Sequence, residues 1–174
     1  MKRLLLHGVV CLVLLGLCGC GYRLGETRAA WLDKEKTLYI PVFSNESLLP
    51  GLELPLTDAA RELFTLRAAF APAARREDAE LLFRGVILEA RETPSVLSTG
   101  SDGPYAASME LTLRVRLSLL DRDGVELWGA EWHEKSEFSS SGALMRMEEN
   151  RDEAAKRLAK RLMSRAYEEL MEGF

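Results

Sequence analysis

Every second residue from Met109 to Leu119 is large and apolar. Met109, Leu111, Leu113, Val115, Leu117 and Leu119 alternate with Glu110, Thr112, Arg114, Arg116 and Ser118. Successive side chains of a strand point to opposite faces, so residues 108–121 read as a strand with one buried and one wetted face. After the turn residues Asp121-Arg122-Asp123-Gly124 the alternation resumes with Trp128, Ala130 and Trp132. An antiparallel hairpin is predicted. Upstream, residues 37–43 set Leu38, Ile40 and Val42 against Tyr39 and Phe43, which predicts another strand. Residues 78–91 carry apolar side chains on both faces and predict a central strand, with Gly85 as a bulge or a point of close approach.

Two segments switch to helical spacing. In residues 54–69, Leu56, Ala59, Ala60, Leu63 and Phe64 form an apolar stripe, with Thr57 or Ser47 near the start and Pro72 preventing continuation. In residues 150–170, Ala155, Leu158, Ala159, Leu162, Met163, Ala166 and Leu170 recur at three- and four-residue steps and predict a long helix over the buried sheet face. Residues 44–51 read as a loop that contains the sequon Asn45-Glu46-Ser47, and residues 94–105 as a long polar hairpin loop without lysine or arginine. The expected fold is α+β: a two-layer sandwich with a four-stranded, largely antiparallel sheet, two helices packed on one face and the other face open.

The N-terminal pattern differs. Lys2 and Arg3 precede an apolar run from Leu4 to Leu17 that closes on Gly19, the layout of a cleaved secretory signal over residues 1–19. The run is shorter than the roughly 20 apolar residues a spanning helix needs. Leu17-Cys18-Gly19-Cys20 resembles a bacterial lipobox, with small Gly19 before the cut and Cys20 as the residue that receives lipid. Several acyl chains on one cysteine suffice for stable anchoring. Gly21 follows where an aspartate often marks inner-membrane retention, so the inner leaflet of the outer membrane is the expected address. Residues 20–36 form the lipidated N-terminus and a tether, and residues 37–174 a single domain.

Removing the signal leaves about 155 residues, enough for one core, and no cysteine after Cys20. Packing must therefore stabilise the fold without disulfides. The formal net charge of −4 becomes more acidic once Lys2 and Arg3 are lost, which argues against a nucleic-acid partner. His133 lies on a strand beside Glu131 and Lys135, with no Cys/His or carboxylate spacing for a metal site, and reads as an exposed strand histidine. Ser139-Ser140-Ser141-Gly142 lacks nucleophile-elbow spacing and Gly100-Ser101-Asp102-Gly103 lacks the setting of a phosphate loop. No acid and base are paired, so a non-enzyme without cofactor is expected.

Four stretches in order, "CGYRL" at Cys20, "LYIPVFSNES", "ELPLTDAARELF" and "NRDEAAKRLAKRL", resemble the LptE-like lipopolysaccharide-assembly lipoproteins. The resemblance implies a two-helix, four-strand domain that plugs the lumen of the LptD outer-membrane β-barrel and helps deliver lipopolysaccharide to the outer leaflet. It also implies lipopolysaccharide-binding cations just before the last helix, where Arg146 stands, and in the loop between strands two and three. That loop, residues 94–105, holds no cation here. The wetted strand face adds Arg114 and Arg116 as candidate phosphate contacts. A competing reading is an outer-membrane activator of a peptidoglycan synthase, with which "IPVFSNES" is loosely shared. Only about 16 residues separate Cys20 from the first strand, a reach of at most roughly 55 Å, which favours work at the membrane.

Overall fold

The computed structural model describes residues 36–172 except 69, 101–102 and 141–143. The expected signal, Cys20 and the tether as far as Glu35 lie outside the described residues. In chain order the elements are β1 (Thr37–Tyr39), β2 (Ser44–Asn45), α1 (Glu53–Arg67), β3 (Ala71–Pro72), a 3-10 turn (Arg76–Asp78), β4 (Leu81–Gly100), β5 (Gly103–Leu120), β6 (Glu126–Ser139) and α2 (Leu144–Glu172).

The alternating segments pair as expected. β4, β5 and β6 form an antiparallel meander, with Leu117 opposite Gly85 on one side and Ala130 on the other. Leu111, Leu113, Val115, Leu117 and Leu119 are all buried beneath the helices, while Thr112, Arg114 and Arg116 share the other face. The sheet as a whole corrects the four-stranded, largely antiparallel expectation. It is mixed and has six strands, in the order β3-β1-β4-β5-β6 with β2 also on β4. β1 and β2 lie parallel to β4, and β3 lies parallel to β1. These strands have two or three residues each, too few for a period to show.

The expected strand over residues 37–43 ends at Tyr39, and pairing resumes only at Ser44, past Pro41, which has no N–H for a ladder. The alternation also flips there, because Val42 is exposed and Phe43 is buried. The Phe43 N–H donates to Thr57 Oγ1 at 2.9 Å, and its ring lies on Gly85, where a Cβ would stand 2.3 Å from Phe43 Cδ2. Gly85 is thus a point of close approach.

α1 buries Leu56, Ala59, Ala60 and Phe64, the last 4.8 Å from the Phe83 ring of β4. Its start carries no side-chain cap. Thr57 is buried one turn in, donating to the Glu53 carbonyl, and Ser47 belongs to the preceding loop. The helix stops at Ala68 in the left-handed conformation, before Pro72 is reached. α2 buries every residue of its expected stripe but begins at Leu144, six residues earlier than the stripe suggests. Residues 94–105 also differ from the expected loop. β4 and β5 stay paired through Ser98–Tyr105 to Gly100–Gly103, with register shifts around Val96. Pro94 is tolerated because, among the described residues, no strand pairs with β4 beyond Ile87 on its far side.

Candidate functional site

Two surfaces hold the residues singled out from the sequence. The first is the open sheet face. Arg114 Nη1 donates to Glu131 Oε1 at 3.0 Å, and its Nε lies 3.6 Å from Glu89 Oε2. Glu89 also pairs with Arg91. Arg116 reaches Glu126 at 3.6 Å, and Glu126 lies across Gly129, where a side chain would collide with it. Lys135 pairs with Glu110 at 2.9 Å, a hydrogen bond that holds the ammonium pKa above its usual value. Each of these pairs is exposed and worth little on its own, but together they fix a hydrated face of alternating sign. Arg84 has no ionic partner among the described residues; the hollow of about 390 Å³ beside it sets Arg84 and Arg116 against Glu46 and Glu126. The face is balanced rather than cationic.

The second surface is an arm at one end of the molecule. α2 runs antiparallel to β6, since Asn150 reaches Ser139 and Arg161 reaches Lys135. The N-terminus of α2 and the β4–β5 hairpin therefore extend in the same direction. Six residues of α2 project about 9 Å beyond Asn150. Large apolar side chains are uncovered on both: Val96, Leu97 and Tyr105 on the hairpin, Leu144 and Met145 on the helix. Leu97 is 69% exposed and Met145 73%, far beyond what a packed interior leaves. Arg146 follows Met145, exposed and without an ionic partner among the described residues. At the base of the arm Arg151 pairs with Glu92, and both are about four-fifths buried. The sequence pointed to Arg146 but not to its apolar neighbours. The available signal was large apolar residues inside an otherwise Ser/Thr/Gly-rich hairpin.

The remaining motifs are structural. Asn45 of the sequon donates to the Leu49 carbonyl and to Glu53 Oε2, and accepts from Ser47, so it staples the loop to α1. Backbone N–H donors and the Asn45 amide hold the Glu53 carboxyl below its ordinary pKa. His133 is exposed opposite Arg114. Among the described residues no group of three His, Cys, Asp or Glu is placed to hold a metal ion. Among them also, no helix is long and apolar enough to cross a membrane.

Several solved structures match the chain at low identity. PelC from Paraburkholderia phytofirmans, described as a dodecamer, is 19% identical with a TM-score of 0.46, covering 74% of this chain and 86% of its own. The rare lipoprotein B of Shewanella oneidensis is 16% identical with a TM-score of 0.47, covering 76% and 91%. Lipoprotein GNA1162 of Neisseria meningitidis is 12% identical with a TM-score of 0.44, covering 71% and 98%. No curated protein sequence matches the chain. The family model described as "LptE: Lipopolysaccharide-assembly" matches residues 35–170, nearly all of the domain. The chain belongs to the LptE family of lipopolysaccharide-assembly lipoproteins.

Proposed function

We propose that the protein is acylated at Cys20, sits in the inner leaflet of the outer membrane, and plugs the lumen of an LptD-type β-barrel. There it takes part in moving lipopolysaccharide to the outer leaflet, by binding and positioning rather than by covalent chemistry. The observation that carries this reading is the family match over residues 35–170, on a domain whose open sheet face is a lattice of paired, opposite charges. A hydrated barrel lumen is polar, and a face whose charges are mostly paired with one another can enter it at little desolvation cost.

Within this reading the arm does the lipid handling. Arg146 is free to take a lipid phosphate in a charge-assisted hydrogen bond, and the apolar residues beside it suit acyl chains or the barrel wall. Arg114 and Arg116 contribute second, because a phosphate has to displace Glu131, Glu89 or Glu126 from them. The test is a pull-down of the tagged, lipidated protein from its own envelope in mild detergent. A stoichiometric large β-barrel retained through washing supports the plug. A penicillin-binding synthase without a barrel overturns it. With the barrel in hand, Arg146→Glu is expected to weaken lipopolysaccharide binding about tenfold. Unchanged binding with an unchanged circular dichroism spectrum removes Arg146 from the site.

A further inference from the structure

β6 ends the sheet, and an end strand offers a row of outward carbonyl and N–H groups to any other strand. Along the C-terminal part of β6, from Lys135 to Ser139, alternate carbonyls are already occupied. Asn150 Nδ2 donates to the Ser139 carbonyl at 3.0 Å, Arg157 Nη2 to Glu137 at 3.2 Å and Arg161 Nη2 to Lys135 at 2.6 Å. One turn further along α2, Arg165 pairs with Glu134, and its guanidinium lies 4.8 Å from the centre of the Trp132 ring. The spacing follows from the two backbones. Four helical residues rise about 6 Å and two strand residues about 6.7 Å, so arginines at i and i+4 meet alternate carbonyls of an adjacent strand. These side chains form a seam across the edge of β6, over and above the apolar packing of α2.

β6 is also self-complementary. Two copies paired antiparallel about His133 place Lys135 of each opposite Glu131 of the other, and Glu134 opposite Trp132, with every odd residue facing an odd residue. We propose that Arg157 and Arg161, with Asn150, act as an edge lock, and that the surface they withhold is a pairing site for β6 of a second copy of this chain. With the lock in place the protein stays a single sheet; without it two sheets join into one. This assignment is independent of the barrel reading.

The test uses the purified, lipidated chain in detergent. No cysteine follows Cys20, which the proposed processing leaves acylated, so a single introduced thiol reports the pairing. In the proposed register the two copies of residue 133 lie opposite each other with Cα atoms about 5.5 Å apart, within disulfide range. The two copies of residue 137 lie roughly 25 Å apart, out of range. On mild oxidation, His133→Cys combined with Arg157→Ala and Arg161→Ala is expected to give at least about tenfold more covalent dimer than His133→Cys alone. Glu137→Cys in the same doubly substituted background is expected to give none. A folded triple variant that stays monomeric overturns the proposal, as does equal cross-linking at 133 and 137. So does equal dimer with and without the two arginines. Circular dichroism checks the fold; if the double replacement unfolds the chain, Arg161→Ala alone with His133→Cys carries the same test.

Discussion

The two halves of β4 share one strand and one partner, β5, yet differ in almost everything else. Residues 81–90 bury Leu81, Phe83, Val86, Ile87 and Ala90, whereas residues 91–100 bury none. The ladder to β5 continues through both halves. What changes is the helical layer: α1 and α2 together cover the first half, and only the opening turns of α2 accompany the second. Backbone pairing alone therefore buries little side-chain area, and the core exists where a second layer lies on the sheet. The uncovered half still carries Val96 and Leu97, apolar residues that an isolated domain has no reason to keep in water.

The contrast can be broken first at its covered end. Leu162→Ala removes a side chain with no exposure from under α2 and is expected to cost about 2 to 5 kcal/mol in urea unfolding. A loss under about 1 kcal/mol would mean that the helix layer does not hold the covered half. Gly85→Ala drives a methyl group into the Phe43 ring, which is packed between sheet and α1, and should cost about 1 to 3 kcal/mol in the same measurement. At the boundary between the halves, Arg151→Ala leaves Glu92 largely buried and unpaired. It should cost about 1 to 2 kcal/mol, between the values for exposed and buried pairs.

Beyond the boundary the stability effect vanishes. Val96→Ser with Leu97→Ser should change unfolding by no more than about 0.5 kcal/mol while weakening lipopolysaccharide binding in a detergent assay. If stability falls as it does for Leu162→Ala, the arm is part of the core and the contrast is false. The smallest effect is one of pH. Backbone hydrogen bonding and Asn45 keep the Glu53 carboxyl ionised below its ordinary range. Its contribution is therefore complete above the unfolded value near 4.5 and disappears as pH falls through the lower folded value. Glu53→Gln should flatten the acid side of a stability-against-pH curve, and an unchanged slope would show that the loop staple carries no linkage.

The covered half was legible in the sequence and the arm was not, for a physical reason. Alternation at 109–119 and the stripe at 155–170 record burial, so they are visible wherever a side chain meets a second layer. Thr93-Pro94-Ser95 and Gly100 carry turn chemistry, and with no buried face to impose a period the hairpin reads as a loop although its backbone is paired. The first turns of α2 escaped for the same reason, since Leu144, Met145 and Arg146 are all exposed. Arg114 and Arg116 could be assigned to the wet face, but not their glutamate partners. Those depend on the register between strands, and at Glu89 on the shift that brings it beside Arg114. The parallel pairings of β1 and β3 left no trace because each strand is too short to carry a pattern.

The parallel placement of β1 has a consequence for the order of folding. β4, β5 and β6 follow one another with at most five residues between them, whereas Leu38 meets Leu81 only after α1 and the 3-10 turn have been crossed. Closing a long loop costs more entropy than closing a short one, so the meander is expected to form first and β1 to join last. On the proposed reading, in which Cys20 carries the anchor, the last segment to settle is the one nearest the lipid. Until it does, about 60 residues separate the anchor from β4, a leash of up to roughly 200 Å. On that reading docking of β1 draws the finished domain in towards the membrane surface.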